Sequence, residues 1–309
     1  MSSPRAWTHF LQRIRKRLGI EVHNRYLVYQ HRRLQKRPIM DYDLCWILGS
    51  GRSGSTWLLD MLSLLPGVKE LFEPYFGAVY YYHARYPSEL LDRKESFFSN
   101  DYRHLWAPAM GKYFLDVLNK RLEGETRVRC YILKEINASY LGPFFADTFP
   151  RSRLLLLLRD PYDIFDSMLD MQRPGAWNVE FRDKYPYVSE EGRLYLTADH
   201  IRFLLTCALQ GYESVIPELR LILRYEEILG DPVNSLQCCS TFLHLPASET
   251  QIRSAVDQCQ FDTLQETGAG KFRRFGRAGI WKESGNFTPE VHAIANEILG
   301  PLRVRLGYE

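Results

Sequence analysis

The residues best suited to chemistry form a glycine-rich string, Leu48-Gly49-Ser50-Gly51-Arg52-Ser53-Gly54-Ser55-Thr56-Trp57. It follows the apolar run Leu44–Leu48 and opens the amphipathic stretch Ser55–Leu65, which Pro66-Gly67 stops. In that setting a glycine-rich turn is an anion cradle, because backbone N–H groups and a helix N-terminus converge on one point. Ser53, Ser55 and Thr56 add hydroxyl donors, and Arg52 adds positive charge. A second anion-binding pair is Arg159, which ends the run Leu154–Leu158, and Ser167, eight residues later on the next helical stretch. Arginine offers a planar, permanently charged fork and serine a short neutral donor. Taken alone, Arg159 also fits a salt bridge to Asp160 or Asp163. Glu73 sits between apolar neighbours, a setting that strengthens a carboxylate as a proton acceptor; it equally fits an anchor that holds its own loop through backbone N–H groups. Lys134 closes the apolar run Val128–Leu133 and fits either a cation facing a departing anion or an ion-pair partner of Glu73 or Glu135.

The spacing of Gly49, Gly54 and Thr56 approaches the nucleotide loop G-x-x-x-x-G-K-[ST]. Ser55 stands where the lysine belongs, and the cation has moved inside the loop to Arg52. Such a loop binds an anion but is built for something other than ordinary ATP hydrolysis.

At Arg52-Ser53-Gly54-Ser55-Thr56 the chain resembles the sulfotransferases that use 3′-phosphoadenosine-5′-phosphosulfate (PAPS) and release adenosine 3′,5′-bisphosphate (PAP). The resemblance implies that these five residues hold the 5′-phosphosulfate and that Trp57 stacks on adenine. It also implies that Arg159 and Ser167 take the 3′-phosphate. Leu223-Arg224-Tyr225-Glu226-Glu227 is similar to the family segment whose tyrosine meets the adenine, here Tyr225. Residues 274–282, Arg274 to Lys282, are similar to the C-terminal stretch that completes the 3′-phosphate clamp through Arg274, although Phe275 and Ile280 depart from it. The cytosolic branch takes the acceptor's proton with a histidine just after the strand-end lysine, and Lys134-Glu135-Ile136-Asn137 has none. Leu71-Phe72-Glu73-Pro74 resembles the carbohydrate branch instead. That implies Glu73 as general base, Arg52 and Lys134 as the cations at the leaving phosphate and sulfuryl group, and a carbohydrate or glycolipid acceptor. His83 and His104 are the rival bases. No metal is expected, since the donor is already activated and neither H-E-x-x-H nor a His/Cys cluster occurs. Two other readings fit in part. One is a Mg²⁺-dependent P-loop kinase, which matches the glycines but lacks the lysine. The other is a non-catalytic nucleotide-binding adaptor docked to membranes.

These residues need elements to position them. Strand-like runs at 44–48, 128–133, 154–158 and 219–223 alternate with helical patterns at 55–65, 138–148, 163–171, 199–216, 231–243, 248–259 and 289–299. The alternation predicts an α/β fold of the P-loop NTPase-like kind: three layers, with a central, mainly parallel sheet flanked by helices and one domain over 41–309. Residues 73–127, rich in Tyr, Phe and Trp, and residues 172–198 lack clear periodicity and read as insertions forming a lid or an acceptor pocket.

The 309 residues are 45% apolar and 25% charged, which excludes disordered and low-complexity classes, and no apolar run approaches a membrane span. Six cysteines without a C-x-x-C pair argue against a disulfide scaffold and for a reduced, cytoplasmic setting. Residues 1–40 carry ten basic residues against one acid, +9, while the remainder is −6. Trp7, Phe10, Leu11, Ile14 and Leu18 recur there at helical spacing. Such an arm fits peripheral contact with an anionic membrane, a grip on a partner, packing on its own domain, or an organelle presequence. A small-molecule, glycan or lipid acceptor is the expected partner, and nucleic acid is not.

Overall fold

A computed structural model of the chain describes residues 37–122, 128–172, 188–260 and 276–308. The basic helix expected within residues 1–40 lies outside them up to residue 36. The chain divides into two compact units, residues 1–39 with 117–126, and residues 40–116 with 127–309. In the first, the Asn119 side chain brackets Ile39, accepting its N–H at 2.6 Å and donating to its carbonyl at 2.9 Å. Among the described residues no helix is long and apolar enough to cross a membrane.

The second unit is built on five parallel strands, β1 (Leu44–Gly49), β2 (Val68–Phe72), β3 (Cys130–Lys134), β4 (Arg153–Leu158) and β5 (Arg220–Arg224), in the order β2-β3-β1-β4-β5. Helices along the chain include α1 (Ser55–Ser63), α2 (Arg103–Arg121), α3 (Pro161–Met171), α4 (Glu190–Ser214), α5 (Tyr225–Gly230), α6 (Pro232–Phe242) and α7 (Glu249–Gln258). β1 and the leucines of β4 are buried throughout, so these short runs are apolar on both faces. Cys45, Ile47, Ile132, Leu155 and Leu157 pack beneath α1, α6 and α7 with Leu58, Leu62, Leu236 and Ile252. On the other face Trp46 meets Phe114 and Phe149 at ring separations of 5.3 and 5.0 Å.

Caps set the entry of the helices that reach the site. Asp160 caps α3 by accepting the Tyr162 N–H at 3.0 Å, with Pro161 as first helical residue. Ser189 caps α4 through the Gly192 N–H. The helix expected over 138–148 is instead mostly a 3-10 helix, Ile136–Phe144, followed by one α-turn, Phe145–Thr148. Pro143 lies within it, and Gly142 packs so tightly on α4 that a Cβ there would sit 1.8 Å from the Cys207 carbonyl oxygen. α4 begins at Glu190, nine residues before the expected start. The segment 73–127, read as lacking periodicity, holds α2, and β2 lies just before it in a stretch assigned to no element.

Candidate active site

β1 delivers the glycine-rich loop to the C-terminal edge of the sheet. Ser139 ties the start of the loop on both sides of Gly49, donating to its carbonyl at 2.6 Å and accepting its N–H at 3.0 Å. Arg52 holds φ +67° and Gly54 φ +91°. The second value needs glycine, because a Cβ on Gly54 would lie 2.5 Å from the Tyr225 ring. α1 then starts at Ser55, so its free N–H groups point out of the loop.

A cleft of about 590 Å³ runs along this edge. Strand order reverses between β1 and β4, and the loop after β1 and Arg159 after β4 meet there, at the crevice where open parallel sheets bind ligands. Gly54 and Ser167 line the same cleft. Arg52 Nε donates to Ser167 Oγ at 2.9 Å. Arg159 donates from Nη1 to the Arg52 carbonyl at 2.9 Å and from Nη2 to the Arg277 carbonyl at 3.2 Å. Its guanidinium lies 4.4 Å over the Tyr225 ring, and its i,i+4 approach to Asp163 is long, 3.7 Å. Arg159 is buried, and its Nε has no partner among the described residues. Asp163 instead accepts the Gly279 and Trp281 N–H groups, which draws the C-terminal stretch onto the cleft. Burial pushes the Asp163 carboxyl up, opposed by Arg159 and those two N–H groups.

Ser55, Thr56, Trp57 and Tyr225 also line the cleft. Trp57 is pinned from behind, its indole donating to the Cys259 carbonyl at 2.8 Å and its ring edge-on to Tyr225 at 6.1 Å. The Ser53 side chain is fully buried under the loop and does not line the cleft. Arg274 lies outside the described residues. Arg277, three residues later, does line the cleft.

The other half of the cleft follows β2 and β3. Glu73 and Tyr75 carry φ of +45° and +59°, a strained turn in which Glu73 donates its N–H to the Lys134 carbonyl at 2.8 Å. Glu73 Oε1 lies 2.6 Å from Lys134 Nζ, and Oε2 accepts the Ile136 N–H at 3.3 Å. The anchoring and ion-pair readings of these residues are therefore present together. Lys134 Nζ also sits 4.5 Å over the Phe72 ring. Glu135, buried behind the pair, accepts the Phe76 N–H at 2.9 Å, and burial pushes its carboxyl up to about 7 with a smaller push from Glu73.

Neither rival histidine reaches the cleft. His83 is packed against Phe98 and Trp106, and His104 is on the surface. His200 of α4, which the sequence did not single out, does line it, with Asn137 and Asp166. Among the described residues no group of three or more His, Cys, Asp or Glu is arranged to hold a metal ion.

No curated protein matches the chain in sequence. Mouse sulfotransferase SULT7A1 complexed with PAP is similar in structure, with a TM-score of 0.51 and 16% identity over 86% of this chain and 85% of that one. The sulfotransferase domain of the Synechococcus PCC 7002 olefin synthase matches with a TM-score of 0.47 and 19% identity over 85% and 95% of the two chains. The sulfotransferase family model matches residues 45–249. With about two thirds of its length inside that match, the chain belongs to the sulfotransferase family.

Proposed function

We propose that the cleft holds PAPS along the C-terminal edge of β1, β4 and β5, and that the enzyme passes its sulfuryl group to a hydroxyl of an acceptor held at the ends of β2 and β3. The observation that carries this reading is the buried guanidinium of Arg159. Nη1 and Nη2 each donate to one carbonyl, while the buried Nε has no acceptor among the described residues, beside a cleft that Ser167 also lines. A phosphate brings the oxygen that such a donor lacks.

In this reading Arg159 and Ser167 take the 3′-phosphate, with Arg274, while Trp57 and Tyr225 frame the adenine. The Arg52–Thr56 loop and the start of α1 take the 5′ end. Bound PAPS supplies a sulfuryl group already carried on a good leaving phosphate. Arg52 neutralises the charge that develops on that phosphate, and Lys134 faces the transferring group. Glu73 takes the acceptor's proton through a lone pair not used by Lys134 or the Ile136 N–H. The likeness of Phe72-Glu73-Pro74 to the carbohydrate branch supports a carbohydrate or glycolipid hydroxyl. Peripheral membrane contact through residues 1–40 and a cytoplasmic setting belong to the same proposal, on the strength of the basic arm and the cysteine usage.

The test is calorimetry of PAP with the purified protein, then transfer of labelled sulfuryl from PAPS to panels of glycans, glycolipids and phenols, with and without EDTA. PAP binding and transfer indifferent to EDTA are expected. Failure to bind PAP sinks the reading, and activity abolished by EDTA turns it toward the kinase.

A further inference from the structure

The register that pairs Leu158 with Arg224 brings two further pairs together where β4 and β5 leave the sheet. The first is Arg159 and Tyr225, whose guanidinium and ring stack at 4.4 Å and which both line the cleft. The second is Asp160 and Glu226, joined by the Asp160 N–H, which donates to Glu226 Oε1 at 3.0 Å. Neither of these two acids lines the cleft. Each carboxylate therefore has to find its remaining donors away from the nucleotide side.

Helix α8 (Gly300–Arg305) and the residues after it supply those donors. Arg303 donates from Nε and Nη2 to the two oxygens of Asp160 at 3.0 and 3.1 Å, a bidentate fork between two largely buried side chains. Tyr308 donates its O–H to Glu226 Oε2 at 2.9 Å, and the Arg224 guanidinium lies 4.9 Å over the Tyr308 ring. Arg224 also donates to the Leu306 carbonyl at 2.6 Å. The end of α8 couples the two donors. Gly307 holds φ +76° and donates its N–H to the Val304 carbonyl at 2.9 Å, while the Tyr308 N–H donates to the Arg303 carbonyl at 3.0 Å. This glycine-terminated helix end turns the chain back over its own last turn and ties Tyr308 to Arg303.

Asp160 also caps α3, the helix that carries Ser167. The Arg303 fork thus holds both the backbone that presents Arg159 and the start of the helix that presents Ser167. We propose that Arg303 and Tyr308 are positioning residues of the donor site: they clamp Asp160 and Glu226, so that Arg159 and Tyr225 meet the nucleotide in one geometry. This rests on the donor reading above and deepens it. Neither Arg303 nor Tyr308 lines the cleft, so neither touches the nucleotide. Arg303 acts through Arg159 and Ser167, hence on the 3′-phosphate. Tyr308 acts through Glu226 on Tyr225, hence on the adenine.

The test is calorimetry of PAP and of adenosine 5′-monophosphate (AMP), which lacks the 3′-phosphate, at a temperature well below the Tm of every variant. The wild type is expected to prefer PAP to AMP. Arg303→Met is expected to cut that preference by about fivefold or more, the scale of one hydrogen bond. Arg303→Lys keeps the charge but loses the fork, and a smaller cut is expected. Tyr308→Phe removes one hydroxyl and is expected to weaken PAP and AMP alike, by about two- to fivefold. Arg305→Met breaks only the exposed pair with Glu213 on the same helix and should change neither affinity. A merely structural role would lower Tm and leave affinities and preference as in the wild type. A preference unchanged in both Arg303 variants overturns the role of Arg303, and unchanged affinities in Tyr308→Phe overturn that of Tyr308. A wild type that fails to bind PAP, or binds AMP as tightly, overturns the donor reading itself and this proposal with it, which separates the two failures.

Discussion

Arg52 Nε donates to Ser167 Oγ at 2.9 Å, joining a loop and a helix 115 residues apart in the chain. The group expected at the 5′ end of the donor thus touches the group expected at the 3′ end. The Arg159 bond to the Arg52 carbonyl closes the triangle. Arg52, Arg159 and Ser167 are one hydrogen-bonded unit, and a ligand that takes Arg52 Nε must compete with Ser167 for it.

Removing either arginine should weaken PAP. A charge-assisted hydrogen bond contributes about 1.5–3 kcal/mol, so Arg52→Ala and Arg159→Ala are each expected to raise the PAP Kd by about tenfold or more. Ser167→Ala removes one neutral donor and releases Arg52 Nε from Ser167, and a change of only about two- to fivefold is expected. Titration calorimetry checks all three, and unchanged affinity in both arginine variants would overturn the site.

Glu73→Gln separates catalysis from structure. The amide keeps an oxygen for the Ile136 N–H but loses the base, so kcat is expected to fall by about 10² to 10⁴ while PAP affinity holds. It also leaves Lys134, only 5% exposed, without a counter-charge, so Tm should drop. Adding Lys134→Met should recover Tm and leave activity lost. A Glu73→Gln enzyme with normal kcat would remove Glu73 as base.

Stability should carry a titration from Glu135. Its carboxyl is pushed up from 4.5 to about 7 by burial, against the Phe76 N–H that favours the ionised form. The native state therefore keeps a proton that the unfolded chain gives up. This contribution is intact below pH about 4.5 and is lost as pH rises toward and through about 7. Its full size is roughly 3 kcal/mol. Glu135→Gln should gain stability over the wild type between pH 5 and pH 8, read by urea unfolding at both. An equal difference at the two pH values would contradict this.

Gly54→Ala should damage the loop at its narrowest point. The φ of +91° strains any side chain, and the Cβ would collide with Tyr225 at 2.5 Å. A loss of PAP binding is expected with a Tm lowered by several degrees. Gly279→Ala, also at positive φ but with nothing within 4 Å, should cost less in Tm and spare PAP. Equal losses in the two variants would show that the Tyr225 contact does not matter.

That Arg52, Gly54, Arg159 and Ser167 would meet was legible because residue types suited to phosphate stand at fixed distances from two strand ends. The fold brings them together. The all-parallel sheet was legible from runs such as Leu154–Leu158 that are buried on both faces. β2 was not, because Val68-Lys69-Glu70-Leu71-Phe72 is an edge strand whose exposed side tolerates charge. α2 was hidden by Pro108 and a weak apolar stripe. Asn137 and His200 carry no local signature, and Arg277 stood inside the 274–282 stretch without being singled out. They matter only because a 3-10 helix, a long helix and the C-terminal stretch arrive at one cleft, and that arrival is set by packing such as Gly142 on Cys207.

The edge position of β2 divides the labour of the enzyme. The donor loop hangs from β1, which has a neighbouring strand on each side, whereas Phe72, Glu73 and Tyr75 leave the sheet from a strand with only one. In the proposed reading, substituents at the exposed Tyr75 are met mainly by solvent and by the incoming molecule, so the mouth of the cleft can be recut there for a wider or longer guest while the loop after β1 stays as built. The molecule therefore offers a fixed socket for its reagent and a replaceable fitting for whatever is to be sulfated.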